Sequence, residues 1–523
     1  PHRDAASPSA GTLLAMEGGP GFPSGASFRS YETLFHPLLA RYDMLLVDDR
    51  GTGRSGALLC KALQAAPVMT LTDIDACGAT LGTRADLYGT AIASDDVAAV
   101  VDALGAGEIT LYGDSYGTFM AQTFVGRHPE HVRAIVLDGA YPVVGSDPWL
   151  ASVAIELRRA FDAVCRRSPY CSRLPGNTLS RLQALLTALR RDRALVTPTQ
   201  VAFVMASAGL NPAAYRDFDA AARAYLAGDV TPLRRLVRDV YRYEEESGAD
   251  YTDSSAALFV AASCSDNPVP YDRTLTVADR QAQWTRIEAA QERRNPALYA
   301  PFTIAEFLGM PPDYGYVNLC LNWPVPSAAH APREPLLPDP RLPDVPALVL
   351  VGDLDTITTP QESAAAARLF PHAAYVVVRN TGHVTAVGDV YDCAAAIVRR
   401  FVATLATGDT SCASRIPPRR LVSFFARTTS WRFSDRDAAI AAAQDALARI
   451  DAYGVTSGSG LRGGSFYVRN TDDLTAVTLD GAKWCDDAPV WGSVLFNRVT
   501  GSATLRATLP GRRHVIARWN EFY

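Results

Sequence analysis

The sequence predicts an α/β fold: a mostly parallel sheet, split by a large helical insertion, with a small β-rich domain at the C-terminal end. Three observations predict it. Short apolar strand-like runs alternate with helical runs over the first third of the chain, which implies a parallel sheet wrapped by helices. The reading is mostly helical from Asp147 to Asp339, and strand-like runs then resume. After Cys412 the composition shifts to Gly, Thr, Val and Trp, with turn signals at short intervals.

The elements follow in order. Thr12–Met16, Met44–Asp48, Ile109–Tyr112 and Ala134–Leu137 read as buried strands, separated by helices such as Ala91–Leu104 and Tyr116–His128. Amphipathic runs such as Ala151–Cys165 and Thr178–Leu189 begin the insertion. Proline punctuation from Pro332 to Pro346 leads into strands Ala347–Val351 and Ala374–Arg379 and a helix over Val390–Ala406. A last helix, Asp435–Ile450, precedes strands such as Ser465–Arg469, Leu474–Leu479, Gly492–Val499 and Ala503–Leu509. The expected domains are residues 1–146 and 341–412 for the two halves of the core, 147–340 for the lid and 413–523 for the β-rich domain.

Composition bounds the function. At 48% hydrophobic and 20% charged residues, the 523-residue chain is ordinary globular material, which excludes disorder and collagen-like repeats. No apolar run approaches the roughly 18 residues of a membrane span. A net charge of −5 argues against nucleic acid as a partner. Only Lys61 and Lys483 are lysines, but the arginines are scattered, so they mark codon usage rather than a binding site.

Nine cysteines, at 60, 77, 165, 171, 264, 320, 393, 412 and 485, are many for a reducing compartment. None is spaced Cys-x-x-Cys and no His-Glu-x-x-His occurs, so no metal site or cofactor is expected. Cys60 with Cys77, Cys165 with Cys171 and Cys393 with Cys412 form local couples. A secreted or cell-envelope protein with up to four disulfides and one odd thiol is expected. The chain opens Pro1-His2-Arg3 without Met, which points to an upstream segment.

Chemistry concentrates at strand ends. Strand Ile109–Tyr112 runs into Gly113-Asp114-Ser115-Tyr116-Gly117 and then a helix, the context of a Gly-x-Ser-x-Gly nucleophile elbow. Ser115 needs a base. Of eight histidines, only His383, in Asn380-Thr381-Gly382-His383, follows a strand directly, at the end where sites on parallel sheets lie. The acid that orients it is expected in Gly352-Asp353-Leu354-Asp355, which offers two aspartates. Asp355, deeper in the loop, is the expected partner, and Asp353 is expected to bond loop backbone. Oxyanion donors are expected from the amide of Tyr116 and from the loop Glu17-Gly18-Gly19-Pro20-Gly21.

In order along residues 11–412 stand Gly18-Gly19-Pro20-Gly21, Asp49-Arg50-Gly51-Thr52-Gly53-Arg54-Ser55, the elbow, Gly352-Asp353-Leu354-Asp355 and Gly382-His383. Together they resemble the α/β-hydrolase family of proline iminopeptidases and tripeptidyl aminopeptidases, in its exported actinobacterial branch. The resemblance implies a triad of Ser115, Asp355 and His383 and oxyanion amides from Gly19 and Tyr116. It also implies a Cys264–Cys320 couple beside the three local ones, leaving Cys485 unpaired. Two departures stand out. Glu17 occupies a position where iminopeptidases usually carry His, and only 11 residues precede Thr12 where the fold normally places two strands. The second departure again implies an upstream segment.

The triad implies hydrolysis through an acyl-enzyme, on a peptide or a small ester. An exopeptidase acting on free N-termini, an esterase or lactonase, and a non-catalytic binder on a hydrolase scaffold are the competing readings. An aminopeptidase must hold an ammonium, which calls for lid carboxylates. Glu244–Glu246 read as a solvated helix face, while Asp266, beside Cys264, is a candidate that also suits a helix cap. Glu17 is a further candidate near the substrate. The β-rich domain is open to gating, docking on the sheet or forming an oligomer.

Overall fold

The computed structural model describes residues 8–66, 68–192, 195–247, 250, 252–330, 333–336, 342–470 and 473–522. The chain forms two compact units, Pro1–Ala160 with Tyr241–Ile416, and Phe161–Val240 with Pro417–Tyr523. These boundaries differ from the expected lid limits of 147 and 340. Residues 161–240 group with the C-terminal stretch, and residues 241–340 group with the parallel sheet.

The first unit holds six parallel strands: β1 (Thr12–Met16), β2 (Asp43–Leu46), β3 (Ile109–Asp114), β4 (Val132–Asp138), β5 (Ala347–Gly352) and β6 (Ala374–Val378), in the order β2-β1-β3-β4-β5-β6. β3 and β5 are buried at every position, as parallel strands covered on both faces must be. Strand periodicity deals their side chains alternately to two cores. Leu14, Ile109, Leu111, Ile135, Leu137 and Val349 pack with the helices Thr90–Leu104 and Tyr116–Arg127. Leu13, Tyr112, Val136, Leu348 and Leu350 pack with Phe28–Phe35 and Ala394–Thr404.

The helix expected from Val390 begins only at Ala394. The Asp389 carboxylate takes the N–H groups of Tyr391 and Ala395, at 2.9 and 3.2 Å, and Asp392 sits at φ 52°. The left-handed backbone at Asp392 interrupts the helix, and the Asp389 carboxylate bonds the first turn that begins at Ala394. Four disulfides join Cys60–Cys77, Cys165–Cys171, Cys264–Cys320 and Cys393–Cys412. Cys485 is free and buried, and burial pushes its thiol up to about 12.

The second unit carries an antiparallel sheet of β7 (Ser457–Ser459), β8 (Ser465–Asn470), β9 (Leu474–Lys483), β10 (Pro489–Asn497), β11 (Ser502–Leu509) and β12 (Arg513–Asn520), in sequential order. One face buries Phe466, Val477, Leu479, Val490, Val494 and Leu505. The helix Asp435–Tyr453 lies against β9, β10, β11 and β12 and buries Ala438, Ala439, Ala442, Ala443 and Ala446, small residues that permit close approach. A capping box of Ser434 and Asp437 starts this helix and Gly454 in the left-handed conformation ends it.

Beneath it lies a buried ion network. Arg235 pairs bidentately with Asp445 at 2.5 and 2.6 Å, Arg449 contacts Asp217 and Asp445, and Arg216 pairs with Asp217 at 2.6 Å. Asp239 adds a third carboxylate, 3.5 Å from Arg449. Three arginines face three aspartates, so the cluster is neutral as a whole. The guanidiniums hold the Asp445 carboxyl well below the usual carboxylate range, against the opposing effect of burial.

Candidate active site

Strand β3 ends at Asp114, and the helix Tyr116–Arg127 begins two residues later, so Ser115 occupies a tight turn at φ 50° and ψ −122°. Such a backbone is costly for any residue with a Cβ. It turns the serine out of the sheet, leaving Ser115 half-buried between buried neighbours. The turn has no room for side chains on either flank: a Cβ on Gly117 would lie 2.0 Å from the carbonyl oxygen of Met16. The Ser115 N–H donates to the Asp138 carbonyl oxygen at the end of β4 (3.0 Å), which ties the elbow to the next strand.

His383 follows β6. Its Nδ1 lies 2.8 Å from Oδ2 of Asp355, and the two side chains are 3% and 0% exposed, so the pair is shielded from water. Asp355 is heavily constrained. Its Oδ1 accepts from the N–H groups of Ile357 and Thr358 at 2.9 and 3.0 Å. Its Oδ2 accepts from the Thr358 hydroxyl at 3.1 Å, and that hydroxyl also lies 3.1 Å from His383 Nδ1. Asp353 accepts from the Asn380 N–H at 2.6 Å. The two aspartates of the loop therefore have different partners, one an imidazole and one a backbone amide.

With Nδ1 bonded to Asp355, the basic lone pair of a neutral imidazole lies on Nε2. That atom is buried and has no hydrogen-bond partner among the described residues. Gly139, one residue past the carbonyl that holds Ser115, sits against the same ring. A Cβ there would be 3.1 Å from His383 Cε1, and its φ of +71° favours glycine. The imidazole and the serine thus adjoin one peptide at the carboxyl end of β4.

Tyr116 is the first residue of its helix, so its N–H has no carbonyl partner within the helix. Its hydroxyl lies 2.6 Å from Thr90 Oγ1. Gly19 lies in the loop after β1 at φ +117°, followed by a cis bond to Pro20. A Cβ on Gly18 would meet Cβ of Ser115 at 2.9 Å, so this loop lies directly against the Ser115 turn.

The two carboxylates expected near substrate bond to the protein itself. Asp266 accepts from the N–H of Thr90 (3.0 Å) and from its hydroxyl (2.5 Å), at the start of the helix Thr90–Leu104. Burial pushes its carboxyl up to about 7 against those bonds. Glu17 accepts from the Gly18 N–H (2.9 Å) and the Tyr31 hydroxyl (3.0 Å). The side chains of Glu244–Glu246 lie outside the described residues.

Sequence reasoning missed Thr358, and it missed Asp138, which ends β4 with 0% exposure. Asp138 accepts from the N–H groups of Thr385 and Ala386, the Thr385 hydroxyl and the Tyr112 hydroxyl, pinning the turn after His383. A signal was present, because β4 ends in aspartate straight after the apolar run Ala134–Leu137. Among the described residues no cluster of His, Cys, Asp and Glu is arranged to hold a metal ion, and no helix is long and apolar enough to cross a membrane.

Residues 11–162 match the model of the alpha/beta hydrolase fold family, and residues 305–412 match that of TAP-like proteins. The parallel sheet and the first match give the first unit the α/β-hydrolase fold. Serine protease Hip1 of Mycobacterium tuberculosis is 26% identical over 374 residues, which cover 62% of this chain and 67% of Hip1. YuaR of Escherichia coli strain K12 is 28% identical over 179 residues, 31% of this chain and 35% of YuaR, so the match spans about a third of that relative. A crystal structure of proline iminopeptidase from Mycobacterium smegmatis aligns over 76% of this chain and 91% of that one, with 16% identity and a TM-score of 0.35. With those matches this chain is a serine hydrolase, and its four disulfides fit an oxidising compartment.

Proposed function

We propose that this serine hydrolase is an exported exopeptidase that releases residues or short peptides from free N-termini through an acyl-enzyme, with Ser115 as nucleophile. The observation that carries the reading is the shielded Asp355–His383 pair, whose unpartnered Nε2 shares the end of β4 with Ser115.

In this reading His383 Nε2 takes the proton of Ser115 Oγ as that oxygen forms a bond to the scissile carbonyl carbon. Asp355 keeps the imidazole in the tautomer with its proton on Nδ1 and stabilises the cation that forms. The oxyanion is received by the N–H groups of Gly19 and Tyr116. The C–N bond then breaks as His383 returns the proton to the leaving amine. Water, deprotonated by the same nitrogen, releases the acyl group and restores the serine.

Support for a peptide substrate comes from the TAP-like match and from the similarity to a serine protease. The test is a panel of aminoacyl and tripeptidyl anilides, their N-acetylated forms, aryl esters and lactones. Turnover of the free-amino anilides and failure of the acetylated ones is expected. Turnover of the esters alone refutes the peptide reading, and a fully active Ser115→Ala variant refutes the nucleophile assignment.

A further inference from the structure

The mechanism above uses neither Glu17 nor the buried acids around it, yet these residues connect the two loops that must supply the oxyanion donors. Glu17 lies between β1 and the Gly18–Gly21 loop. One carboxylate oxygen accepts from the Gly18 N–H at 2.9 Å, and the other accepts from the Tyr31 hydroxyl at 3.0 Å. Tyr31 is fully buried on the helix Phe28–Phe35, edge-on to Tyr112 of β3. Its hydroxyl also lies 3.2 Å from Asp114 Oδ2, and Asp114 immediately precedes Ser115.

We propose that Glu17 is a positioning residue: through Gly18 on one side, and Tyr31 and Asp114 on the other, it sets the oxyanion loop at its working distance from the nucleophile turn. The proposal rests on the serine acyl-transfer reading above.

The proton count favours a rigid link. A phenol has one proton, and two carboxyl groups lie within reach of it, so the shorter contact to Glu17 takes that proton. The remaining contacts then need a second proton, which resides on Asp114. Asp114 is 3% exposed, and burial, the Glu17 charge and the Asp138 charge all raise its carboxyl well above the usual range. The groups facing this cluster are Tyr112, whose hydroxyl donates to Asp138, and Asp138 itself, which accepts from the N–H groups of Thr385 and Ala386 beyond His383. Glu17 thus supplies an acceptor oxygen to each side of the link, one to the Gly18 N–H and one to the Tyr31 hydroxyl.

The test uses the full chain with Glu17→Ala, Glu17→Gln and Tyr31→Phe, assayed on an aminoacyl anilide and on an aryl ester. An oxyanion serves both substrates, so an error about the substrate leaves this result interpretable. Glu17→Ala is expected to lower kcat by about 10- to 100-fold with KM within twofold. Affinity for a boronic acid that mimics the tetrahedral intermediate should fall in step with kcat/KM. Glu17→Gln, which keeps an acceptor oxygen, should recover most of the loss. Tyr31→Phe keeps the ring packing and should lower kcat by about 3- to 10-fold; it carries the test by itself if Glu17→Ala does not fold. Unchanged kcat in Tyr31→Phe overturns the proposal. So does a loss confined to KM, which would make Glu17 a group that touches substrate. Failure of the serine reading shows separately, as activity surviving in Ser115→Ala.

Discussion

Thr358→Val is the substitution whose effect follows most directly from the geometry. It removes one hydroxyl and leaves nearly the same volume, at a position only 5% exposed. That hydroxyl is 3.1 Å from Asp355 Oδ2 and 3.1 Å from His383 Nδ1. Without it, Oδ2 keeps the imidazole as its only side-chain partner among the described residues, while Oδ1 keeps the N–H groups of Ile357 and Thr358. The aspartate therefore stays in place, but the imidazole loses a lateral restraint and the carboxylate loses a donor. A hydrogen bond to a charged group contributes about 1.5–3 kcal/mol, which converts to roughly a 10- to 150-fold loss in kcat/KM. The assay is steady-state hydrolysis of whichever anilide or ester turns over, beside a melting curve showing that the variant is folded. Thr358→Ser restores the hydroxyl and should recover most of the rate. A Val variant within threefold of the unmodified enzyme, or a Ser variant as poor as Val, would refute the reasoning.

Asp445→Asn leaves three arginines facing two carboxylates in a buried cluster, a change that costs about 3–5 kcal/mol. For the 187 residues of the second unit, at about 2.1 cal/mol/K per residue, this lowers its melting temperature by about 8–13 °C by calorimetry. Because its folded pKa is depressed, Asp445 stabilises the unit above the ordinary carboxylate pKa and loses that effect as pH falls through the folded value. Acid unfolding should therefore begin at higher pH in the Arg235→Met variant, which lacks one of the guanidiniums that hold Asp445 ionised. Removing the Cys264–Cys320 bridge, with its separation of 56 residues, should cost about 4 kcal/mol in denaturant unfolding. Removing Cys165–Cys171, with a separation of 6, should cost about 2 kcal/mol. Asp266→Asn should leave KM for free-amino substrates within about threefold, since both bonds of its carboxylate run to Thr90. A tenfold rise in KM would instead place it on the substrate ammonium.

Much of this molecule was legible in the residues themselves, and the reason is local. A buried parallel strand must be apolar on both faces, so β5 stands out as a short unbroken run whatever surrounds it. The elbow at Ser115 is equally local, since a turn that forces glycine on both flanks leaves a pattern within five residues. The choice of His383 followed from strand ends, again a matter of chain order. Even the difference at Val390 is local in cause: Asp392 takes a positive φ, which a right-handed helix cannot pass through.

Relations between distant residues stayed hidden. Arg235 and Asp445 are 210 positions apart, and each alone reads as an ordinary surface charge. Only the tertiary structure groups residues 161–240 with the C-terminal stretch and buries those charges together. Asp138 and Thr385 are separated by 247 positions, and no spacing rule connects them. Glu17, Tyr31 and Asp114 likewise meet only because β1 and β3 are neighbours with a helix laid across them. From the residues alone one can read the strands and the Ser115 turn, because those depend on backbone sterics and burial within a few positions. The tertiary structure alone decided which acid faces which hydroxyl, because hydrogen bonds reach about 3 Å and take no account of distance along the chain.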